Sequence, residues 1–499
     1  MIYTFKLRSK LFSYERSFAW NEAKQIASFY NASVERISRE RFILKANAIL
    51  DIELLKKVTY FKEIDLSNGD KVIPDNARWE ESTFVNGKYS TRYASHGIHE
   101  YKGKFNPQVV HSLLNQYLNF DYKDKVIYDP FAGSGTSLLE ASLMEMGAVG
   151  NDVNPLAVLI SEAKQDSLNV NMDQLVTYWK NIVSNVKKQR DFELDINSER
   201  LVYLAKWFPI DTLTKLELVR QYILKLPAEY KKIIEVIVSN VLRDYSYQDP
   251  DDLRMRRRKE IPKQTEILEK IGEDVQDFSN RMLRFNSIYS YVPVRNHEYQ
   301  ISSEKYKVKH AEFDLGITSP PYATALPYID TQRLSIVWCD LAKPTDIKNL
   351  DQNLIGTRES SKKHLDLLRD HLRANEATLP LPVIKFLQQL QAAINFDTDG
   401  FRKQATPALL YQYFEEMQKM FKNVKSNLKK NAFYLLIVGT NKTTLGGTKF
   451  IIDTPDLLGQ IAESLGWKLI DIVELQTYKR YGINAKNSVN VEKLIVLQN

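Results

Sequence analysis

The chain has 499 residues, 43% of them hydrophobic, enough to bury large cores and to form roughly two to four domains by the usual size relation. Its single cysteine, Cys339, excludes an internal disulfide and any all-cysteine metal cluster, so packing has to hold the fold. Lys and Arg (69) exceed Asp and Glu (62) for a net charge of +7, a balance that favours a polyanionic partner without requiring one.

No apolar run approaches the roughly 18 residues that span a bilayer, and the opening MIYTFKLRSK has no apolar core followed by a cleavage site. The expectation is a soluble globular protein of the cytoplasm that does not engage a membrane. Residues 1–75 read as a small α+β unit, with strands at IYTFKL and ERFILKA and helical spacing from Ser17 to Tyr30. A linker rich in polar and turn residues is expected after it. Near Val126 the pattern becomes strand, glycine loop, helix, strand, in KVIYDPFAGSGTSLLEASLMEMGAVGNDVNP, as in a doubly wound sheet.

From about Leu156 the amphipathic segments VTYWKNIVSNVKKQ and LTKLELVRQYILKLPAEYKKIIEVIVSNVL predict an inserted helical subdomain that separates two parts of one sheet. AEFDLGITSPPY then restores a strand ending in a Pro-Pro turn, and NAFYLLIVGTN, GWKLIDIVELQ and VEKLIVLQN supply later strands, the last two as an antiparallel pair. The expected domains are 1–75, a first catalytic part at 76–155, the helical insertion at 156–300 and a second catalytic part at 301–499. A helical excursion is expected at 331–425.

In DPFAGSGT, Asp129 to Thr136, an apolar strand enters a loop whose Gly133 and Gly135 can take positive φ and admit a ligand closely. The helix beyond offers unpaired N–H donors to a carboxylate, with Asp129 placed near a cationic amino group. Asp152, about twenty residues on, stands where such folds present an acid to ribose hydroxyls. That chemistry suits S-adenosylmethionine. An isolated GxG also serves simply to pack a helix onto a strand; the complete eight-residue string is far more specific.

At Ser319, Pro320, Pro321 and Tyr322, two prolines fix φ and leave carbonyls free as acceptors. A ring-conjugated amine is a poor nucleophile, so its hydrogens must be accepted as a methyl group approaches, a task suited to Ser319 and the Pro320 carbonyl. Tyr322 would stack on a base flipped from its duplex. Prolines after a strand also merely terminate it, and the upstream glycine loop is what favours the chemical role.

Together, DPFAGSGT and TSPPY resemble the paired signature of DNA amino-methyltransferases, which modify cytosine N4 or adenine N6; the serine form looks more like the cytosine group. The resemblance implies a Rossmann-like class I methyltransferase α/β sheet with a terminal antiparallel hairpin, S-adenosylmethionine as cofactor and double-stranded DNA as partner. It also implies a cognate restriction endonuclease. Asp129, Pro130, Phe131, Gly133, Gly135 and Thr136 would line the cofactor pocket, Asp152 would hold ribose, and Ser319 to Tyr322 would form the catalytic loop.

HGIHEYKGKFNPQ resembles the family's cofactor segment, which would put Lys104, Phe105 and Pro107 near the methionine end. His96 and His99 lack a third metal ligand of matching spacing, so no metal is expected and a hydrogen-bonding role is preferred. The acidic motif expected around Tyr299 to Lys305 is unclear. The plan also looks like tRNA guanine-N2 methyltransferases, which makes tRNA the alternative substrate, although those carry Asp before Pro-Pro-Tyr.

The densest basic run, Arg254, Arg256, Arg257, Arg258 and Lys259, offers a grip on a phosphate backbone, or else a solvated helix face. In the excursion, Arg333, Arg358, Lys362 and Lys363 are further candidates to face the substrate. Cytosine C5 methylation needs a thiolate, and Cys339 follows Trp338 in a predicted helix, outside any Pro-Cys turn.

Overall fold

The structure is a computed structural model that describes residues 1–83, 90–101, 103–104, 106–189, 192–249, 252, 255–258, 266–289, 299–302, 308, 312–323, 328–358, 360–476 and 491–499. The N-terminal unit comprises β1 (Ile2–Leu7), α1 (Ser13–Phe29), β2 (Ser33–Ser38), β3 (Arg41–Lys45), α2 (Ile52–Lys56), β4 (Phe61–Asp65) and β5 (Lys71–Val72). Its strands form an antiparallel sheet in the order β2-β3-β1-β4-β5. Where a linker was expected, α3 (Asp75–Glu81) forms instead, because Trp79 packs its ring against Tyr93, Phe285 and Tyr289. Burying one indole outweighs the polar composition around it.

The central sheet is built from α4 (Pro107–Leu118), β6 (Val126–Asp129), α5 (Thr136–Leu143), β7 (Gly147–Asn151) and α6 (Pro155–Asp166), then resumes far downstream. Between lie α7 (Met172–Lys188), α8 (Glu199–Ala205), α9 (Ile210–Ile223), α10 (Ala228–Val241) and α11 (Ile267–Ile288), the helical insertion. The sheet returns with β8 (Tyr299–Ser302) and β9 (Phe313–Thr318), followed by α12 (Tyr328–Trp338), α13 (Ile347–Asn353), α14 (Lys362–Ala374), α15 (Leu381–Ala392) and α16 (Phe401–Asn427). It ends with β10 (Leu428–Gly439), the hairpin β11 (Asn441–Leu445) and β12 (Thr448–Ile452), α17 (Thr454–Ser464), β13 (Lys468–Gln476) and β14 (Val491–Gln498).

Seven strands pair in the order β13-β14-β10-β9-β6-β7-β8. β8, β7, β6, β9 and β10 run parallel, while β14 is antiparallel to both β10 and β13. This mixed sheet among many helices is compatible with a Rossmann-like fold. Its strands are apolar on both faces, as a helix-covered parallel sheet demands. Ile127, Leu315, Leu435 and Ile437 face one core; Tyr128, Tyr434, Leu436 and Val438 face another.

The first core is shared with the N-terminal unit, whose Phe5, Phe18, Phe42 and Phe61 belong to the same apolar cluster as Val110, Leu113 and Leu114 of α4. Polar clasps reinforce it. Buried Glu22 accepts hydrogen bonds from Ser112 Oγ (2.6 Å), Asn115 Nδ2 (3.1 Å) and Thr59 N (2.7 Å). The insertion forms a third core together with α6 and α12. Among the described residues, no helix is long and apolar enough to cross a membrane.

Candidate active site

Because β6, β9 and β10 are parallel, their carboxyl ends Asp129, Thr318 and Gly439 share one edge of the sheet, where ligands bind in open α/β folds. A cleft opens there. Of the cofactor residues expected from the sequence, Lys104, Pro130, Phe131, Gly133, Thr136 and Asp152 line it, and so do Ser319 and Pro321 of the catalytic turn. The glycine loop and the Pro-Pro turn, nearly 190 residues apart in the chain, thus meet at one cavity.

Asp129 does not line the cleft. It is fully buried behind the loop, where Oδ1 accepts from Phe131 N (3.0 Å) and Thr318 Oγ1 (2.5 Å), and Oδ2 accepts from Ser137 Oγ. Burial pushes its carboxyl up to about 6, against those three hydrogen bonds. Its place is that of a fastener between loop and catalytic strand. Gly133 has φ +52° and faces the Tyr101 ring, so the loop backbone lies open to the cleft. Gly135, φ +71°, lies outside the lining; a Cβ there would sit 2.0 Å from Ser161 Oγ, which makes it a packing glycine.

Asp152 lies on the cleft wall with Oδ2 accepting from Gly133 N (2.8 Å) and Oδ1 from Asn154 N (2.9 Å). Burial raises it to about 6, opposed by those two N–H groups. Each oxygen keeps a lone pair for a further donor. Thr136 Oγ1 is buried at the cleft with no partner among the described residues, an orphaned polar atom of the kind a ligand satisfies. A nucleoside cofactor with an amino-acid tail therefore fits this donor and acceptor set.

Pro107 is buried at the first turn of α4, after the cap Asn106, and stands apart from the cleft lining. Lys104 Nζ donates to His96 O at 3.0 Å; burial, with Arg92 and Arg281 nearby, lowers it to about 8. Phe105 lies outside the described residues. His96 and His99 are not arranged as a metal pair: His96 Nε2 contacts Glu140 Oε1 (2.7 Å) and His99 Nδ1 contacts Glu100 O (2.7 Å). Burial opposes charge on Glu140, yet hydrogen bonds from His111 and His96 hold it down at about 2. Burial lowers His96 and His99 to about 4.

In the catalytic turn, Ser319 Oγ donates to Ile437 O at 3.1 Å, so its proton is committed and its lone pairs remain to accept. Pro320 is buried, and half-buried Tyr322 donates its phenol proton to Glu492 Oε1 on β14. Cys339 sits just past α12, buried, with its thiol pushed up by that burial, and it does not line the cleft.

The basic run is divided. Arg254 and Lys259 lie outside the described residues, as do 303–305 of the stretch from Tyr299 to Lys305, whose first four residues form β8. Arg258 is engaged internally, donating to the carbonyls of Gln248 (3.0 Å), Arg243 (2.9 Å) and Asp244 (3.2 Å). Arg257 lies over the Tyr247 ring at 4.7 Å and Arg256 pairs with Asp252 at 3.8 Å; both are exposed.

Sequence reasoning passed over several residues. Tyr101, Gly103, Ser134, Asn151 and Asn154 line the cleft, and the Asn-Pro start of α6 was a legible signal for Asn154. Leu354 and Ile355 close it from beyond α13, with no local signal. Lys164 of α6 is fully buried beneath the loop, its Nζ donating to Ser134 O (2.6 Å) and Oγ (3.2 Å), and it makes no ion pair among the described residues.

Similarity to known proteins extends over most of the chain. It is 21% identical over 385 residues to the type II methyltransferase M.MvaI of Kocuria varians, covering 71% of this chain and 78% of that protein. It is 23% identical over 429 residues to the type II methyltransferase M.BsoBI of Geobacillus stearothermophilus, covering 77% and 81%. To the type II methyltransferase M.AvaI of Nostoc sp. it is 24% identical over 404 residues, covering 76% and 80%. No family model matches the chain. Both signature motifs thus face one cleft in a chain that is similar, over some three quarters of its length, to type II methyltransferases.

Proposed function

We propose that the protein is an S-adenosylmethionine-dependent DNA methyltransferase of the restriction-modification type, acting site-specifically on an exocyclic base amine, cytosine N4 in preference to adenine N6. The observation that carries this reading is the convergence of Ser319 and Pro321 with Gly133, Thr136 and Asp152 on one cleft. The sheet order, with β14 antiparallel between β10 and β13, supports a class I methyltransferase plan. A cytoplasmic setting and a cognate endonuclease protected by the modification belong to the same proposal.

When bound, the cofactor supplies an electrophilic methyl group. Asp152 and Thr136 would hold its nucleoside part, and Lys104 and Gly133 would face its amino-acid part. Ser319, with its proton donated to Ile437 O, accepts a hydrogen bond from one N–H of the base amine and the Pro320 carbonyl accepts one from the other. The lone pair is thereby directed at the methyl group. Once methylated, the amine sheds one proton to water. Preorganised acceptors of this kind are typically worth ~10²–10³ in rate. Tyr322, tethered by Glu492, offers its ring face to the flipped base. The serine before Pro-Pro-Tyr, the form that resembles the cytosine group, favours cytosine.

The test is incubation with methyl-labelled cofactor and either duplex DNA or tRNA, followed by mass spectrometry of the nucleosides. N4-methylcytosine is expected. N6-methyladenine would overturn the base assignment, N2-methylguanine in tRNA the substrate, and absence of transfer the activity itself. Ser319→Ala should abolish transfer while retaining cofactor binding.

A further inference from the structure

The hairpin β11–β12 follows β10 at the catalytic edge of the sheet, close in the chain to groups that hold the Pro-Pro turn. Ahead of the first foot, Ile437 O receives the Ser319 hydroxyl, four residues before Asn441. After the second, Asp453 pairs with Lys493 Nζ at 2.8 Å, and the neighbouring Glu492 receives the Tyr322 hydroxyl. The tip is pinned as well. Gly446 N donates to Asp399 Oδ2 at 2.7 Å, tying the turn to the loop between α15 and α16.

The register gives the ribbon two unlike faces. Leu445 and Ile452 are fully buried in the core beneath it. The opposite face carries Lys442 beside Ile451 and Thr444 beside Lys449, all four exposed. Neither lysine has an ion-pair partner among the described residues, whereas two cations of the basic run are already engaged at Asp252 and at backbone carbonyls. A two-stranded ribbon is narrow enough for a DNA major groove, and unpaired lysines on a rigid support suit phosphates.

We propose that the β11–β12 hairpin is a DNA-contacting ribbon, its Lys442–Thr444–Lys449 face meeting the duplex backbone beside the base presented to Ser319. The inference rests on the DNA methyltransferase reading above and assigns that site its substrate-gripping element. A ribbon that continues from β10, the strand whose Ile437 receives the Ser319 hydroxyl, and is pinned at its tip fixes the distance between the gripped backbone and the reacting amine.

The experiment measures binding of a mixed-sequence DNA duplex by fluorescence anisotropy across a salt series. Wild type is compared with Lys442→Gln/Lys449→Gln and with Lys187→Gln/Lys188→Gln, which removes the same charge from the exposed end of α7. The ribbon pair should weaken binding at least tenfold and flatten the slope of log K against log salt by about 2, one per lost phosphate contact. The α7 pair should do neither, and affinity for S-adenosylhomocysteine should be unchanged in both. An unaltered slope in the ribbon pair, or equal losses in the two pairs, overturns the ribbon alone. Wild type that binds no duplex, or binds tRNA in preference, overturns the ribbon together with the reading beneath it.

Discussion

Thr318 Oγ1 donates a hydrogen bond of 2.5 Å to Asp129 Oδ1, joining the last residue of the catalytic strand to the last residue of the cofactor strand across 189 positions of sequence. The two motifs that meet at the cleft are held to each other by this buried contact before any ligand arrives. Ser137 and the Phe131 N–H complete the set of donors around the carboxylate.

Thr318→Val keeps the shape of the side chain and removes only the donor. A buried carboxylate deprived of one partner costs ~1–3 kcal/mol. Urea unfolding should therefore show a loss of that size, and methyl transfer should fall along with cofactor affinity. A stability equal to wild type would show that the contact contributes nothing.

Asp152 titrates at about 6, and a ribose hydroxyl is best accepted by the ionised form. Affinity for S-adenosylhomocysteine should weaken as pH falls through about 6, approaching tenfold per unit below it. Calorimetry at several pH values should find this inflection in wild type and not in Asp152→Asn, whose affinity is low throughout.

Lys164 is a buried amine whose described partners are both on Ser134, and its burial, with Lys104 nearby, drives it well below the usual lysine range, so that an arriving carboxylate would favour its charged form. A carboxylate arriving at the loop would be drawn to that region. Lys164→Met should weaken S-adenosylhomocysteine about tenfold, roughly 1.4 kcal/mol of electrostatic attraction carried through the loop. Methylthioadenosine, which lacks the amino-acid part, should lose much less. Equal losses for the two ligands would count against the electrostatic role.

Burial raises Glu22 to about 7 between α1 and α4, opposed by hydrogen bonds from Ser112, Thr59 and Asn115. An acid raised on folding contributes stability below its unfolded value of 4.5 that is lost as pH rises through about 7. His96 and His99, lowered to about 4, contribute in the opposite sense, so the total is flattened. The difference between wild type and Glu22→Gln isolates the effect. It should move in favour of the variant by up to about 3 kcal/mol as pH rises from 4.5 through 7. A difference independent of pH would refute it.

Much of the site is legible because its elements are local. VIYD, the glycine loop, α5 and β7 follow one another within a single β-α-β stretch, and TSPPY carries its own turn chemistry. What escapes the sequence is set by partners far away. Asp129 reads as a ligand and proves to be a fastener because Thr318 and Ser137 surround it. Glu492, which holds Tyr322, is one acid in an alternating strand and becomes special only through the pairing of β14 with β10. Arg258 looks like its basic neighbours until three carbonyls of the preceding turn are seen to converge on it. The helix α3 is hidden in polar composition because the indole of Trp79 finds its partners some fourteen and about two hundred residues away.

The N-terminal unit shares its apolar cluster with α4 and with the sheet residues Ile127, Leu315 and Ile437. Ile127 lies one position before Tyr128, Leu315 lies four before Ser319, and Ile437 itself receives the serine hydroxyl. Trimming residues 1–75 would thus strip the lining from beneath the reacting groups and leave an oily wound where a wall had stood. Heat or a protease that loosens this first segment should silence the enzyme from behind, without touching any atom of the cleft.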